Sequence, residues 1–435
     1  MAYRPLEIEG HFSDPPDCAL QFDGKTYPAR TGEPLAISLL ANQALVLGRS
    51  SKYHRPRGLL CGRGSCGCCL AAVDGYPNQR LCLCSAHADQ NVEVQNTIGS
   101  ATFDWLSAID WWFSQGFDHH HFMTETTTLN RLTVHMARKL AGSGKLPSQT
   151  EPPQNLPEAF SRKVEVLIVG AGKAGREVLQ YLRDHGVSTL MVDALCRDET
   201  DIWGETFVLG YYDDRDIVAV RHGQEIRITP EALVLATGSI EQLPICPGND
   251  TPGFMLSRAA ALAITYGVMP GLRIVIGIDS QGQATHLQQE ATELSQRLSQ
   301  AGAEIVLASG PFALLEAKEN TALPITAIKG NPRVRRVTVA GRSKNVACDA
   351  FIWFGRRTPA YELARQIGLT TPYVPFLGFA PQCDSRGITE RPGIFYTGLG
   401  ASRGDRSVAP TLIHASSANV GDSVVQYLLA SRNKV

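Results

Sequence analysis

The sequence has no long apolar run. No stretch of its 435 residues approaches the roughly eighteen consecutive apolar positions of a membrane-spanning helix, so no membrane insertion is expected. The opening residues, MAYRPLEIEGHFSDPP, place acids and prolines where a secretory signal needs an unbroken apolar core; the expected location is the cytoplasm. An excess of charge is also lacking. Forty-one Lys and Arg against 42 Asp and Glu leave a formal net charge of −1, which gives nucleic acid or an anionic membrane no general attraction. Nor is there a Ser–His–Asp set, a pair of carboxylates or a convincing base for a substrate pocket.

Cysteine is present and unevenly spread. Of eleven cysteines, six fall between residues 61 and 84, while Cys18, Cys196, Cys246, Cys348 and Cys383 are scattered and read as ordinary small buried residues. In a chain without an export signal such clustering points to a metal site rather than disulfides. The spacing Cys61-x4-Cys66-x2-Cys69, with Cys82 after twelve intervening residues, is the plant-type [2Fe–2S] arrangement, in which one loop supplies three thiolates and a later segment the fourth. Gly62, Gly64 and Gly67 suit a loop that must wrap a cluster and bring amide N–H groups to its sulfurs. Zinc is the alternative, but structural zinc sites more often use two short cysteine pairs far apart. Cys82 is taken as the fourth ligand. Cys84, expected on the same strand face, is the competing choice, and Cys68 and Cys84 are otherwise bystanders.

The fold class expected is α/β: an N-terminal β-grasp, ferredoxin-like [2Fe–2S] domain followed by a flavoprotein fold with two dinucleotide-binding domains of Rossmann type. CALQFDGKTYPAR reads as a hairpin turning at Asp23-Gly24. Thr31 is a candidate N-cap for a helix over 33–46, and LAAVDGYPNQRLCLC forms a second hairpin turning near Gly75. This domain is assigned to 1–100. Residues 101–162 read as a helical, aromatic segment with the basic amphipathic run NRLTVHMARK, which suits packing against another domain or subunit, and a Pro/Ser/Gln-rich linker. An FAD-type domain is assigned to 163–270 plus 345–435, and a degenerate NAD-type domain to 271–344.

Within the FAD-type domain, KVEVLIVG is a continuous apolar strand. Gly170-x-Gly172-x-x-Gly175 follows it and opens a helix, and Asp193 ends the next strand eighteen residues on. This is a dinucleotide fingerprint in context: close backbone approach to a pyrophosphate at a helix N-terminus, and an acid for the ribose. Ala236-Thr237-Gly238 ends a later strand with small residues that let it come close to a bound dinucleotide. Lys173 and Arg176 flank the turn, placed either to contact phosphates or to remain solvated. The second unit reads Gly277-Ile-Asp279-Ser-Gln-Gly282 after its strand, with Asp279 where a pyrophosphate would lie, and its next strand ends in Ala308-Ser309 with no ribose-binding acid. NAD is therefore not expected. His119, His120 and His121 cannot all face one ion and read as solvated or interfacial.

These motifs resemble the α subunit of heteromeric sarcosine oxidase and its relatives, which include subunits of hydrogen cyanide synthase, opine oxidases and dye-linked L-proline dehydrogenases. The resemblance runs through Pro56–Gly58 before the cysteine loop, HFMTETTTLNRLTVHMARKLAGSGKLP, GAGKAG, IWGETFVLGYYDDRDIVAV, LVLATGSIEQLPICPG and CDAFIWFGRRTP. It implies a subunit that relays electrons through a flavin and the cluster to an acceptor. The implied partner is a D-amino-acid-oxidase-like flavoprotein subunit that oxidises an amine or amino acid, with a further small subunit in some complexes. FAD, or ATP or another adenine nucleotide, is implied in the first site, and FMN at a subunit interface. Three departures stand out: a short segment between Asp193 and Trp203, Leu399 where such flavoproteins carry an Asp beside the flavin, and Asp279. Two other readings stay open, an NAD(P)H-dependent flavin and iron–sulfur reductase, and a non-catalytic scaffold with vestigial nucleotide sites. An electron carrier without groups for proton chemistry favours the relay.

Overall fold

The computed structural model describes residues 15–95, 97–112, 126–140, 159–213, 215–279, 284–307, 313–316, 319–339, 345–375, 377–403 and 411–432. It divides into two compact units, one of residues 1–150 and 243–355, the other of 151–242 and 356–435. His119–His121 and the linker at 143–158 lie outside the described residues.

The first unit begins with a five-stranded sheet in the order Lys25–Ala29, Cys18–Phe22, Asn91–Glu93, Leu70–Val73, Tyr76–Arg80. The first hairpin turns at Asp23 and Gly24, both at positive φ (52° and 76°), the geometry that suits the twist of the flanking strands. Alternation buries Leu20, Phe22 and Ala29 beneath the helix Leu35–Ala41. Cys18–Phe22 then runs parallel to Asn91–Glu93, so hairpin, helix and returning strand make the β-grasp. The helix is shorter than the sequence suggests. It starts after Pro34, not Thr31, and Asn42 ends it by donating its side-chain amide to the Ser38 carbonyl at 2.7 Å.

The same unit holds a second sheet in which Phe254–Leu256, Ala350–Phe354, Arg273–Ile278 and Glu304–Leu307 run parallel. The helices Ser257–Thr265 and Ala284–Gln300 accompany it. This moves the expected domain boundaries: Phe254–Leu256 and Ala350–Phe354, assigned from sequence to the FAD-type domain, are hydrogen-bonded into the second nucleotide-type sheet. Both are buried along their whole length, and a uniformly apolar run does not say which of two parallel sheets it joins.

The other unit is a seven-stranded sheet. Its parallel core is Thr189–Val192, Phe160–Val169, Gln224–Leu235 and Ile394–Tyr396, and an antiparallel meander through Asp216–Arg221 and Thr206–Tyr212 extends it. The helix Lys173–Asp184 buries Val178, Leu179 and Leu182. It packs closely on the terminal helix Ser417–Arg432: a Cβ on Gly421 would lie 2.4 Å from the Tyr181 ring.

Candidate iron–sulfur and dinucleotide sites

The cysteine loop connects the helix and second hairpin of the β-grasp. Gly62, Gly64 and Gly67 sit at φ of 64°, 72° and 67°, and the left-handed turns they allow direct amides inward. The N–H of Arg63 donates to Cys61 Sγ (3.4 Å), that of Gly64 to Cys82 Sγ (3.2 Å) and that of Cys68 to Cys66 Sγ (3.4 Å). Cys61, Cys69 and Cys82 are buried and Cys66 is half-buried.

The Cys61 thiol interacts with those of Cys66 and Cys82, and the Cys69 thiol with that of Cys82. Those contacts hold Cys61 and Cys69 below the ordinary thiol range and push Cys66 and Cys82 above it. Among the described residues no three His, Cys, Asp or Glu side chains are drawn close enough together to hold a metal ion. Amide N–H groups directed at three of the four sulfurs suit a loop-held cluster.

Cys82 and Cys84 do not share a strand face. The strand ends at Arg80, and the chain turns with Leu83 N and Cys84 N both bonded to the Arg80 carbonyl. The Cys84 thiol is pushed up to about 11, chiefly by burial. Cys68 directs its sulfur to the Cys66 carbonyl at 3.9 Å.

The second nucleotide-type domain closes one side of this loop. Leu256 N–H donates to the Leu60 carbonyl at 2.8 Å, and a Cβ on Gly62 would lie 2.9 Å from Ala259 Cα. Leu60 and Cys61 belong to the same apolar cluster as Phe254, Leu256, Val275 and Trp353. Gly58, in the Pro56–Gly58 motif, abuts Pro252, with 3.0 Å from its would-be Cβ to Pro252 Cα. The preceding Arg57 pairs with Asp250 at 2.6 Å. The motif was visible in the sequence; its partner nearly two hundred residues away was not.

At the first dinucleotide fingerprint, Gly170 (φ 111°) lies so close to the strand end that a Cβ would be 2.1 Å from the Ala236 carbonyl oxygen, and a Cβ on Gly175 would be 2.0 Å from that of Gly170. Gly172 faces open space and is the N-cap of Lys173–Asp184, with no side chain capping it. A helix N-terminus without a side-chain cap, beside an open glycine, suits a phosphate. Ala236-Thr237-Gly238 is secured by Thr237 Oγ1 donating to Ala360 O (2.7 Å) and Ala360 N to Gly238 O (3.0 Å).

Asp193 fits a ribose less freely. Its carboxylate accepts from the amides of Ala171 (2.8 Å), Leu195 (2.7 Å) and Cys196 (3.2 Å), so it staples the glycine loop to the short segment that follows it. Arg176 donates its Nε to Ala171 O and pairs both terminal nitrogens with Glu199; Lys173 is exposed. Glu199 went unnoticed in the sequence because no spacing rule ties it to Arg176.

In the second fingerprint, Asp279 is buried and its N–H donates to Phe354 O at 2.9 Å. Gly277 is required by packing: a Cβ there would meet Trp353 at 2.7 Å. Gly282, Ala308 and Ser309 lie outside the described residues. Leu399 pairs with His414 in the hairpin of Gly398–Arg403 with Thr411–Ala415.

Residues 17–97 match the family model of the 2Fe-2S iron-sulfur cluster binding domain. The chain is 26% identical to the sarcosine oxidase subunit alpha of Rhizobium meliloti over 408 residues, covering 79% of this chain and 40% of that protein. It is 31% identical to the hydrogen cyanide synthase subunit HcnA of Pseudomonas aeruginosa over 80 residues, 18% of this chain and 76% of HcnA. The crystal structure of L-proline dehydrogenase from P. horikoshii superposes with a TM-score of 0.63 at 19% identity, covering 92% of this chain and 71% of that one, which shows a shared fold. The chain spans about two-fifths of the length of the Rhizobium subunit.

Proposed function

Since the chain belongs to the oxidoreductase family that includes the sarcosine oxidase α subunit and the hydrogen cyanide synthase subunit HcnA, we propose that it is the electron-transfer subunit of a heteromeric amino-acid or amine dehydrogenase or oxidase. The observation that carries this reading is the set of three inward amides on the sulfurs of Cys61, Cys66 and Cys82. In this reading Cys61, Cys66, Cys69 and Cys82 hold a [2Fe–2S] cluster, which supplies one-electron transfer when bound. The amides of Arg63, Gly64 and Cys68 stabilise negative charge on the sulfurs and so raise the reduction potential. Burial of Cys61, Cys69 and Cys82 keeps water from them.

Gly170, Gly172 and Gly175, with Ala236, Thr237 and Gly238, form the cradle for an adenine nucleotide, FAD or ATP, whose phosphates meet the uncapped helix end at Gly172. Asp193 shapes that cradle through the loop amides. A D-amino-acid-oxidase-like flavoprotein subunit would oxidise the C–N bond, with FMN at the interface between subunits and a further small subunit in the complex. No disulfide joins any of the eleven cysteines, which suits the cytoplasm, and among the described residues no helix is long and apolar enough to cross a membrane.

The test is purification of the native complex, identification of co-purifying chains, extraction of bound nucleotides and an EPR spectrum of the reduced sample. A rhombic [2Fe–2S] signal with a flavoprotein partner is expected. Amino-acid oxidation by the isolated chain, or a missing signal, overturns the reading, and cluster reduction by NADH would favour the self-contained reductase. The engagement of Asp193 by three backbone amides gives the scaffold reading one specific support. Nucleotide-free protein after gentle purification would favour it.

A further inference from the structure

We propose that electrons cross the edge of the cysteine loop carrying Arg63 and Arg80, and that the one-electron carrier docking there is a protein presenting carboxylates. The inference rests on the reading that Cys61, Cys66, Cys69 and Cys82 hold a cluster.

Three observations select this edge. The Cys61 side is sealed by Leu256 and Ala259 of the second nucleotide-type domain, both buried. The Cys69 and Cys82 side is sunk in the β-grasp core with Ala71 and Leu81. The remaining side is thinly covered: Arg63 and Ser65 are exposed, Cys66 and Gly67 are half-buried, and a Cβ on Gly67 would meet only Leu70 Cδ1, at 3.6 Å. Electron exchange weakens steeply with distance, so it takes the thinnest cover.

The sign of the edge follows from its side chains. Arg80 is exposed and its stem lies along the loop, with Cδ 3.3 Å from the would-be Cβ of Gly64. Among the described residues neither Arg63 nor Arg80 meets a carboxylate in an ion pair. The nearby Arg57 is matched by Asp250 at 2.6 Å and adds little net charge. Two guanidiniums beside a shallow electron port attract an anionic surface and repel a cationic one.

The test uses the full-length protein reduced with dithionite and freed of excess reductant, oxidised in a stopped-flow instrument by ferricyanide or by hexaamminecobalt(III). Each oxidant takes one electron, giving ferrocyanide or cobalt(II), and ferricyanide stands in for the carboxylate-bearing carrier. At about 10 mM ionic strength, where the Debye length is about 30 Å, the double variant R63E/R80E should react about tenfold more slowly with ferricyanide and about tenfold faster with the cobalt complex, within the range of electrostatic steering. R63Q/R80Q should fall between, and all differences should shrink at about 1 M salt.

Opposite responses of the two oxidants are the signature, because a changed reduction potential would move both rates the same way. Unchanged rates, or rates moving together, in a protein that keeps its EPR signal overturn the inference and leave the cluster reading standing. A protein without cluster absorbance or EPR signal overturns the cluster reading and this inference with it.

Discussion

The guanidinium of Arg30 donates from Nη1 to the main-chain carbonyl of Tyr266 at 3.1 Å, across 236 residues of sequence. Tyr266 is the C-cap of the helix Ser257–Thr265, so a cation from the β-grasp domain meets the negative end of that helix. The opposite end of the same helix meets the cysteine loop through Leu256 N–H and the Leu60 carbonyl. One short helix is thus gripped at both ends by the domain that carries the candidate cluster. Arg30→Ala removes a part-buried hydrogen bond from a charged donor and should destabilise this unit by about 2 kcal/mol. Chemical denaturation followed by tryptophan fluorescence measures the loss, and limited proteolysis should show faster cleavage between the two domains.

Beside Arg30, Glu33 is buried and accepts a hydrogen bond from Ser38 Oγ at 2.6 Å. Burial pushes its carboxyl above the ordinary range, against the opposing pull of Ser38 and Arg30. Because the folded chain holds this proton more tightly than the unfolded one, the group favours folding below the unfolded pKa. That contribution is lost as pH rises through the folded pKa. Glu33→Gln keeps the shape without the titration. Its stability relative to the parent should therefore be higher at pH 7 than at pH 4, and equal offsets at the two pH values would contradict this.

Gly62 and Gly24 separate backbone strain from packing. Both lie in the left-handed region, at 64° and 76°, but Gly24 has nothing within 4 Å of a would-be Cβ, whereas Gly62 faces Ala259 Cα at 2.9 Å. Gly24→Ala should cost only the conformational term, about 1–2 kcal/mol. Gly62→Ala should cost measurably more and lower the iron and sulfide retained per chain. Equal losses of stability with full iron content would show that the contact with Ala259 yields freely.

The cysteine loop was legible because its spacing is local: three candidate ligands and three glycines fall within nine residues, and the same steric demands apply wherever such a loop occurs. The glycine fingerprint was legible for the same reason, being strand, turn and helix in one continuous run. What escaped is non-local. Ala350–Phe354 is equally apolar on both faces, so its membership in the Arg273–Ile278 sheet is decided by chain crossing. Nothing local in Pro56–Gly58 or in Asp250–Pro252 says that they meet; only the folded chain brings Arg57 to Asp250 and Gly58 to Pro252. The role of Asp193 was half legible: an acid at a strand end was expected, while the amides of Ala171, Leu195 and Cys196 that engage it follow from the short connection after it.

Cys82 and Cys84 should respond differently to the same change. Cys82 is buried, receives the Gly64 amide and interacts with the thiols of Cys61 and Cys69. Cys84 lies beyond the turn with burial as the chief influence on its thiol. Cys82→Ser should abolish the rhombic EPR signal of the reduced protein, or shift it with a marked fall in iron content. Cys84→Ser and Cys68→Ser should retain it. A signal kept in Cys82→Ser and lost in Cys84→Ser would move the fourth ligand by two residues.

Asp193 and Arg176 give the corresponding contrast at the glycine loop. Asp193→Asn places an amide nitrogen where backbone N–H groups now donate, so at least one of the three bonds is lost and the loop Gly170–Gly175 is released from the segment after Thr189–Val192. The expected result is a loss of about 1–3 kcal/mol in stability, with a fall in any adenine nucleotide that co-purifies. Arg176 is exposed and directs both terminal nitrogens to Glu199, so Arg176→Gln should leave nucleotide content unchanged, with only the small effect of a surface ion pair on stability. Nucleotide analysis by chromatography after acid release distinguishes the two. Loss of nucleotide in Arg176→Gln with retention in Asp193→Asn would make the arginine the phosphate contact and reduce Asp193 to a turn residue.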